Sequence, residues 1–587
     1  MTVVDSNHFR VRGAQYGGAA RHALGIFLGL GLGLFASSCK STVVIVTTTA
    51  DGQAGSLRAA IASINADSTL TDATIQLVPG TYELTVCGSD DSNALGDLDV
   101  VSSAKVVLES SGSAVIRQTC AGERVLDAHG TSLLTLRGIS VTGGSLTASG
   151  SAQGGGLRAT GDVTLERARI LDNSATTSSQ LTQGGGLYVA GALRMYDSVV
   201  ARNTAAGARA NEATREIGRA EGGGAYVGAA VVISGSTLSD NVVSTGRIAE
   251  ARGGGIAQSL ATEQPFSVVR TRLENNQATG GDFSAAEGGA VSASGALTAA
   301  AMIARGNRST GGPASGAFGG PAGAARGGAF AARSSLRVTA STFNANLALG
   351  GVAPYMGTSG ASYSAGSGSG GAVWAMGALT LTASTFTQNT AEDGAGHLNG
   401  ALSGGGAAFT HATLDATNTT FSGNAAIAKI PNPTLPPYYP GGLSVPGLGA
   451  AARALTSVQL RHATIANNSG GNTLYTPLLS ARASVALASS GRICSFALVG
   501  GGASDYNRFG DATCSLQGVD NQQDGAGVTL EPLADNGGPA MTHLPGGTLI
   551  DAIPTAACAL PDDARGVTRP QGSGCDVGAV EIRPGVD

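Results

Sequence analysis

Aromatic and charged residues are scarce in this chain. Phe, Trp and Tyr make up 4% of its 587 residues and charged residues make up 13%, against a usual charged share of about 25% in soluble domains. The mean hydropathy of +0.13 excludes a solvated disordered chain, because disorder requires low hydrophobicity and high net charge. The chain contains 91 glycines, so its fold has to tolerate glycine and bury small aliphatic side chains.

The chain also lacks the sequence features of several common functions. No run of basic residues is interleaved with aromatic residues, and the formal net charge is −5, which argues against a nucleic-acid partner because phosphate binding needs a basic surface. There is no HExxH zinc motif and no nucleophile elbow. We therefore predict no catalytic residues, no cofactor and no metal ligand set.

The first 39 residues have the pattern of an export signal. Arg10, Arg12 and Arg21 precede an apolar stretch, Ala23 to Phe35, which is too short to span a bilayer. The small residues before Cys39 suit ordinary signal cleavage. They also resemble a bacterial lipoprotein signal, in which Cys39 would be lipidated, and both alternatives stay open.

The remaining cysteines occur as local couples. Without Cys39, the seven cysteines leave six, and an oxidising compartment would allow each couple to form a disulfide. The couples are Cys87 with Cys120, Cys494 with Cys514, and Cys558 with Cys575.

A repeat runs through the middle of the chain. Seven segments carry Gly-Gly followed by Gly or Ala, and each has an asparagine 19 residues after its first glycine. The pairs are Gly154 with Asn173, Gly184 with Asn203, Gly222 with Asn241, Gly288 with Asn307, Gly327 with Asn346, Gly370 with Asn389 and Gly405 with Asn424. An eighth segment at Gly253 has its asparagines displaced to Asn275 and Asn276. Apolar residues recur nine and sixteen places after the first glycine, so these columns should face one core.

Short alternating segments punctuated by Gly or Asn predict strands joined by tight turns. Strands that recur every 20 to 45 residues are typical of a solenoid. The sequence therefore predicts an all-β fold, a right-handed parallel β-helix. Its coils would stack about 4.8 Å apart, which would place the asparagines in a ladder of bonded amides. Insertions between repeats would lie at one corner, and the loop tyrosines Tyr438 and Tyr439 are candidate contacts for a sugar or a protein partner.

The ends of a solenoid need covers because open strand edges invite aggregation. Residues Ser56 to Asn65 predict a short capping helix, with Ser56 as its N-cap and Leu57, Ile61 and Ile64 on one face. We divide the chain into an export signal (1–39), an N-terminal cap with the first coils (40–150), the repeat β-helix (151–470), and the last coils with an irregular, disulfide-stapled C-terminal cap (471–587).

Acidic residues that could serve a glycoside hydrolase do not fall into one place. Such an enzyme needs two carboxyl groups about 5 to 9.5 Å apart. The candidates occupy different columns or distant coils: Asp162, Asp172, Asp197, Asp240 and Asp415. The densest acidic patch, around Asp97 and Asp99, leaves a calcium site open, although its spacing is not that of a known calcium loop.

Several motifs resemble the repeats of polymorphic outer-membrane proteins, including Gly-Gly-Ala-Phe at 327–330 and Phe-Ser-Gly-Asn at 421–424. The opening, with Gly-Ser-Leu-Arg-Ala-Ala-Ile at 55–61, and the ending, with Cys-Asp-Val-Gly-Ala-Val-Glu at 575–581, are similar to bacterial choice-of-anchor Q proteins. The resemblance implies a surface-displayed, pectin-lyase-like β-helix of no established activity. This chain departs from the family in having Ala59 where Glu is frequent, and it stops at Asp587 without a sorting tail.

From these patterns we expect an exported protein at the cell surface, in the outer membrane or outside the cell. The favoured function is a non-enzymatic adhesin or surface-display protein, monomeric, with a polysaccharide or a host or neighbour surface protein as partner. Contact with a membrane would be made only through a lipid on Cys39. The alternatives are a carbohydrate-active enzyme, either a polysaccharide lyase or a hydrolase, and a purely structural envelope component.

Overall fold

A computed structural model describes residues 40–177, 181–207, 218–314, 320–353, 364–395, 404–431, 442–495 and 504–587. The export signal with Cys39, and the loop tyrosines Tyr438 and Tyr439, lie outside the described residues. Within them, no helix has the length and apolar character needed to cross a membrane.

Each full coil of the repeat contains five short strands. In the coil that begins at Gly154 these are Leu157–Ala159, Asp162–Glu166, Arg169–Leu171, Ser174–Thr177 and Leu181–Gln183. Each strand pairs in parallel with the equivalent strand of the next coil. The first belongs to sheet I, the next two to sheet II, and the last two to sheets III and IV. The chain is therefore a parallel β-helix, as predicted.

Sheets I and II enclose the main core. Sheet I has 13 strands: Leu98–Val100, Leu126–Ala128, Leu157–Ala159, Leu187–Val189, Ala225–Val227, Ile256–Gln258, Val291–Ala293, Phe330–Ala332, Val373–Ala375, Ala408–Thr410, Ala452–Ala454, Asn472–Tyr475 and Arg492–Ser495. Sheet II has 26 strands: Lys40–Val46, Leu70–Leu77, Gly80–Leu84, Lys105–Gln118, Leu133–Thr142, Asp162–Glu166, Arg169–Leu171, Leu193–Tyr196, Val199–Ala201, Val231–Ser234, Thr237–Ser239, Phe266–Val269, Arg272–Glu274, Leu297–Ala300, Ile303–Arg305, Leu336–Thr339, Thr342–Asn344, Leu379–Thr382, Thr385–Thr387, Thr413–Thr417, Thr420–Ser422, Ser457–Arg461, Thr464–Asn468, Leu479–Arg482, Val485–Ala488 and Arg508–Phe509.

Sheets III and IV complete the coils. Sheet III has 10 strands: Ser145–Ala148, Ser174–Thr177, Thr204–Ala206, Val242–Ser244, Gln277–Thr279, Arg308–Thr310, Leu347–Leu349, Thr390–Glu392, Ala425–Pro431 and Gly442–Pro446, the last two antiparallel. Sheet IV has seven: Ala152–Gln153, Leu181–Gln183, Arg219–Glu221, Ala251–Arg252, Ala286–Glu287, Ala325–Arg326 and Gly368–Ser369. Two short antiparallel pairs follow, Val528–Leu530 with Pro545–Gly547 and Ile553–Pro554 with Gly574–Cys575.

The apolar columns of the repeat are buried in one continuous cluster. The column nine places after the first glycine and the column sixteen places after it both belong to this cluster. In the second column the rings of Phe343, Phe386 and Phe421 stack with centroids 4.8 and 5.4 Å apart. Equivalent side chains therefore lie above one another along the axis, as the constant spacing predicts.

A second, smaller cluster lies between sheets III and IV. It is made almost entirely of alanine, with Ala205, Val243 and Ala278 from sheet III and Ala220, Ala251 and Ala286 from sheet IV. Such short side chains let the two sheets pack closely. Because side chains alternate along a strand, the other side chains of sheet IV point away from this cluster and toward sheet I.

The N-terminal helix spans Leu57–Asn65 and begins as predicted. The Ser56 hydroxyl accepts a hydrogen bond from the Ala59 amide at 3.2 Å. Leu57, Ile61 and Ile64 are buried in the main cluster, and the helix contacts the first strands of sheets I and II.

All three predicted disulfides are present: Cys87–Cys120, Cys494–Cys514 and Cys558–Cys575. After residue 525 the chain turns back along sheet II. Ser422 Oγ lies 2.9 Å from His543 Nε2, and Thr464 Oγ1 accepts a hydrogen bond from the Ala579 amide at 2.9 Å. The C-terminal cap that we predicted for the end of the solenoid therefore also covers the side of sheet II.

Candidate functional site

The asparagines of the repeat form a buried row at the corner between sheets II and III. From Asn173 to Asn424, each side-chain amide donates to the side-chain oxygen of the asparagine in the next coil at 2.9 to 3.0 Å. The row consists of Asn173, Asn203, Asn241, Asn276, Asn307, Asn346, Asn389, Asn424 and Asn468. It thus contains the seven residues of the 19-residue spacing and also Asn276 and Asn468.

The asparagines of the row do not themselves adopt the left-handed backbone conformation that a sharp turn requires. The structure places that conformation one residue earlier, at Asp172 (φ 56°), Ala345 (φ 53°) and Gln388 (φ 56°). The asparagines are therefore needed for their side-chain amides, and the row is structural.

The outer face of sheet I carries a second row, which we call the outer row. In most strands of sheet I the residues that flank the middle position belong to the main cluster, so the middle residues point outward. In coil order they are Asp99, Asp127, Arg158, Tyr188, Tyr226, Ala257, Ser292, Ala331, Trp374, Phe409, Arg453 and Tyr475. The row begins with two acids, and most of its large side chains are aromatic.

Sheet IV supplies a facing row of polar side chains. Gln153 Nε2 donates to Gln183 Oε1 at 3.1 Å, and Gln183 Nε2 donates to Glu221 Oε2 at 3.1 Å. Arg252, with no exposed surface, donates to Glu221 Oε1 at 3.0 Å. The Tyr226 hydroxyl of the outer row also bonds with Gln183. The two rows therefore form the walls of a trough.

Glycine closes the bottom of this trough, between sheet IV and sheet I. Gly184 has a φ of +73°, and a Cβ there would lie 1.8 Å from the Leu187 carbonyl oxygen. Only glycine can make this turn, which explains the Gly-Gly motif of every coil.

The middle of the trough is filled by its own charges. Glu287 is 1% exposed and accepts hydrogen bonds from Arg326 at 2.7 Å and Arg333 at 3.0 Å. Burial opposes its ionisation, but Arg333, Arg326 and Arg252 together hold the pKa of Glu287 below its usual value. Further along, the Arg326 guanidinium lies 5.6 Å from the Trp374 ring centroid. These charged side chains are all paired within the protein.

The first coils of the trough are more open. Gln153, Arg158 and Tyr188 are each partly exposed. The Tyr188 ring stacks on Tyr226 with centroids 5.5 Å apart and planes 6° apart. This stretch presents an amide, a guanidinium and a phenol in neighbouring coils, which suits hydrogen bonding to a polar polymer.

The acidic end of the outer row is a compact cluster. Asp99 and Asp127 are direct partners on neighbouring strands. Arg158 Nε donates to Asp127 Oδ1 at 3.0 Å, and Arg124 Nη1 donates to Asp127 Oδ2. His129 Nδ1 lies 3.6 Å from Asp127 Oδ1. Ligand-type atoms of Asp99, Asp127 and His129 all lie within 4.8 Å of one another.

Burial and mutual repulsion favour protonation of two of these acids. Burial raises the pKa of Asp97 to about 7, opposed by Arg124 and reinforced by Asp99 and Asp127. Burial also raises the pKa of Asp99 to about 6, opposed by the Asn93 amide. Raised carboxyl pKa values in a cleft are typical of functional sites, although structural networks produce them too.

The acids proposed from the sequence do not converge. Asp172 makes an exposed ion pair with Arg202 at 2.7 Å, and Asp162 accepts from Arg194 at 3.1 Å. The pairing of Asp99 with Asp127 was missed because it depends on strand register. The signal was present in the alternating patterns Asp97-Leu98-Asp99 and Asp127-Ala128-His129, one coil apart.

No family model, curated protein or solved structure matches this chain.

Proposed function

We propose that this chain is an exported surface β-helix that binds polysaccharide through the open part of the trough and has no catalytic role. The observation that carries the proposal is that Gln153 on sheet IV and Arg158 and Tyr188 on sheet I are partly exposed on successive coils. The Tyr188 ring also stacks on Tyr226. Solenoids present extended surfaces of this kind to long ligands. Coils about 4.8 Å apart offer regularly spaced groups to a linear polymer.

Export is part of the same proposal. The three disulfides require an oxidising compartment to form, and the signal pattern of residues 1–39 would direct the chain there. We place the chain among the choice-of-anchor Q surface proteins that its opening and ending resemble, with a lipid on Cys39 as the attachment. The mass of the N-terminal peptide of the exported chain distinguishes lipidation from simple cleavage.

The test is retention of the full chain on a panel of neutral and acidic polysaccharides. We expect Tyr188→Ala to weaken retention about tenfold, which corresponds to about 1.4 kcal/mol. Tyr196→Ala is the matched control, because Tyr196 lies on the next strand of the same coil but is 38% exposed on sheet II. Equal retention by both variants would contradict a trough site, and no retention of the unchanged chain would favour a structural coat protein.

A carbohydrate-active enzyme is the second candidate. It is favoured by Asp99 and Asp127 on neighbouring strands, since glycoside hydrolysis uses paired carboxyl groups. Against it, Arg124 and Arg158 already pair with Asp127. Release of reducing or unsaturated ends from the same panel, abolished by Asp127→Asn, would replace the binding proposal.

A further inference from the structure

Two buried ligand-type atoms in the acidic cluster have no hydrogen-bond partner. Asp99 is 1% exposed, and its Oδ1 is unpartnered; His129 Nδ1 is likewise buried and unpartnered. A buried carboxylate oxygen without a partner is unfavourable, because it has lost its hydrogen bonds to water without replacing them. Asp99, His129 and Asp127 each offer one ligand-type atom, and these three atoms all lie within 4.8 Å of one another.

The strand register explains why the three side chains meet. Asp99 and Asp127 occupy the same position on adjacent strands of sheet I. His129 follows Asp127 by two residues, so both side chains point to the outer face. The convergence therefore comes from two neighbouring coils and does not depend on a flexible loop.

A neighbouring asparagine holds Asp99 in place. The backbone N–H of Asn93 donates to Asp99 Oδ2 at 3.0 Å, and the side-chain oxygen Oδ1 of Asn93 accepts from the backbone N–H of Asp99 at 3.2 Å. One carboxylate oxygen is thus fixed by a hydrogen bond while the other is left without one. Supporting bonds of this kind orient the ligands of metal sites.

Charge favours a cation at this place. Three further acids, Asp90, Asp97 and Glu123, lie around Asp99 and Asp127. Arg124 and Arg158 are the arginines paired with this group of acids. Both arginines bond to Asp127, so a negative excess remains around Asp99.

We propose that Asp99, Asp127 and His129 bind one divalent transition-metal ion. Imidazole nitrogen with carboxylate oxygen suits zinc and similar ions better than calcium, which takes oxygen ligands. Three protein ligands leave a further position for water or a ligand. His129 has the most exposed side chain of the three, 27% against 1% for Asp127, and provides the side from which an ion enters.

The first measurement is calorimetric titration of the full chain, freed of metal by chelation, with Zn²⁺. We expect one ion per chain, and an affinity that falls at least about tenfold in Asp99→Asn and in His129→Gln. Asp172→Asn and His411→Gln are the matched controls, since both lie outside the cluster, and they should bind as the unchanged chain does. Absence of zinc binding, or unaltered affinity in either cluster variant, would overturn the proposal.

The second measurement uses Co²⁺ as a spectroscopic probe. We expect visible absorption from the bound ion that changes in His129→Gln and is unaltered in His411→Gln. As a control, the free energy of unfolding of each variant is measured without metal, and we expect it to match that of the unchanged chain if the substitution leaves the fold intact. Calcium binding that persists unchanged in His129→Gln would mean that His129 is not a ligand, and it would overturn the site as stated. Neither readout depends on polysaccharide binding, so the two proposals fail separately.

Discussion

The repeat body and the C-terminal segment after residue 504 are held together in different ways. The body, from Gly154 to Asn424, contains no cysteine and repeats one buried asparagine per coil. In the C-terminal segment this pattern is reduced to one pair, in which the Asn507 side-chain amide donates to Asn521 Oδ1 at 2.8 Å. The segment contains the disulfide Cys558–Cys575 and buried ion pairs of Arg565 with Asp563 and Arg569 with Glu581.

The difference shows what stacking supplies. In the body, each coil provides the hydrogen-bond partners of the next, so small residues and amides satisfy the buried backbone. Where the stacking stops, the chain has to satisfy its own irregular backbone, and arginine does this best because its planar fork offers several donors. Arg569, for example, donates to the carbonyl oxygens of Asp576 and Gly578 as well as to Glu581.

The largest effect is expected where this arginine is removed. Arg569→Met leaves the Glu581 carboxylate buried without its partner, which costs about 3 to 5 kcal/mol. The loss should be local, so hydrogen exchange should accelerate within 550–587 and stay unchanged in the body. Arg583→Met is the control, because Arg583 pairs with Asp587 at the surface. Equal exchange in the two variants would mean that the buried pair does not hold the segment.

A smaller but more widespread effect is expected in the asparagine row. Asn346→Ala removes the donor to Ala304 O and to Asn389 Oδ1, and the acceptor of two hydrogen bonds from Asn307. Leaving these buried groups unpaired should lower the free energy of unfolding by about 2 to 4 kcal/mol.

The control for the asparagine row is Asn344→Ala, two residues earlier. Asn344 is only partly buried, and its amide makes one long bond of 3.4 Å to Gln388. We expect a change within about 0.5 kcal/mol. Denaturant unfolding measures both variants, and similar losses would show that the row contributes no more than an ordinary surface amide.

The smallest effect is a pH dependence at His462, which lies where the C-terminal segment meets sheet II. His462 has no exposed surface, and burial, with Arg569 and Arg482 nearby, lowers its pKa to about 3. The unfolded chain therefore takes up a proton below about pH 6.5 that the folded chain does not. Protonation of His462 therefore does not affect the free energy of unfolding above pH 6.5. It lowers the free energy of unfolding progressively as the pH falls from 6.5 toward 3.

The measurement compares unfolding at pH 7 and pH 5. The unchanged chain should lose about 2 kcal/mol more than His462→Gln over this interval. Only the difference is informative, since burial raises the pKa of Asp576 to about 6 and this carboxyl acts with the opposite sign. Parallel losses in both chains would show that His462 does not titrate differently on unfolding.

Much of the fold could be predicted from local patterns. The 19-residue spacing located the coils, Ser56 marked the start of the helix, and the cysteine couples predicted all three disulfides. These succeed because each depends on residues close in sequence or on a period that repeats. The looser coil at Gly253 shows the limit, since only the stacking selects Asn276 over Asn275 for the row.

The candidate sites could not be predicted from local sequence patterns or from the repeat period. Asp127 and His129 looked like isolated residues, and the partners of Arg569 lie in an irregular segment. Tyr188 and Tyr226 each follow the first glycine of their coil by four residues, and their rings stack. The repeat places this position in register, but the residue type there changes from coil to coil, so the repeat alone does not identify a site.

By itself, the sequence determined that the chain is a parallel β-helix. Glycine, apolar residues and asparagine recur at fixed positions, and stacked coils bury the equivalent residues above one another. Only the tertiary structure decided which outward side chains become neighbours. Strand register brought Asp99, Asp127 and His129 together, and the alanine packing of sheets III and IV turned the polar side of sheet IV toward sheet I. The reason is physical, since the interior requires regular apolar columns, whereas outward positions are free to vary from coil to coil.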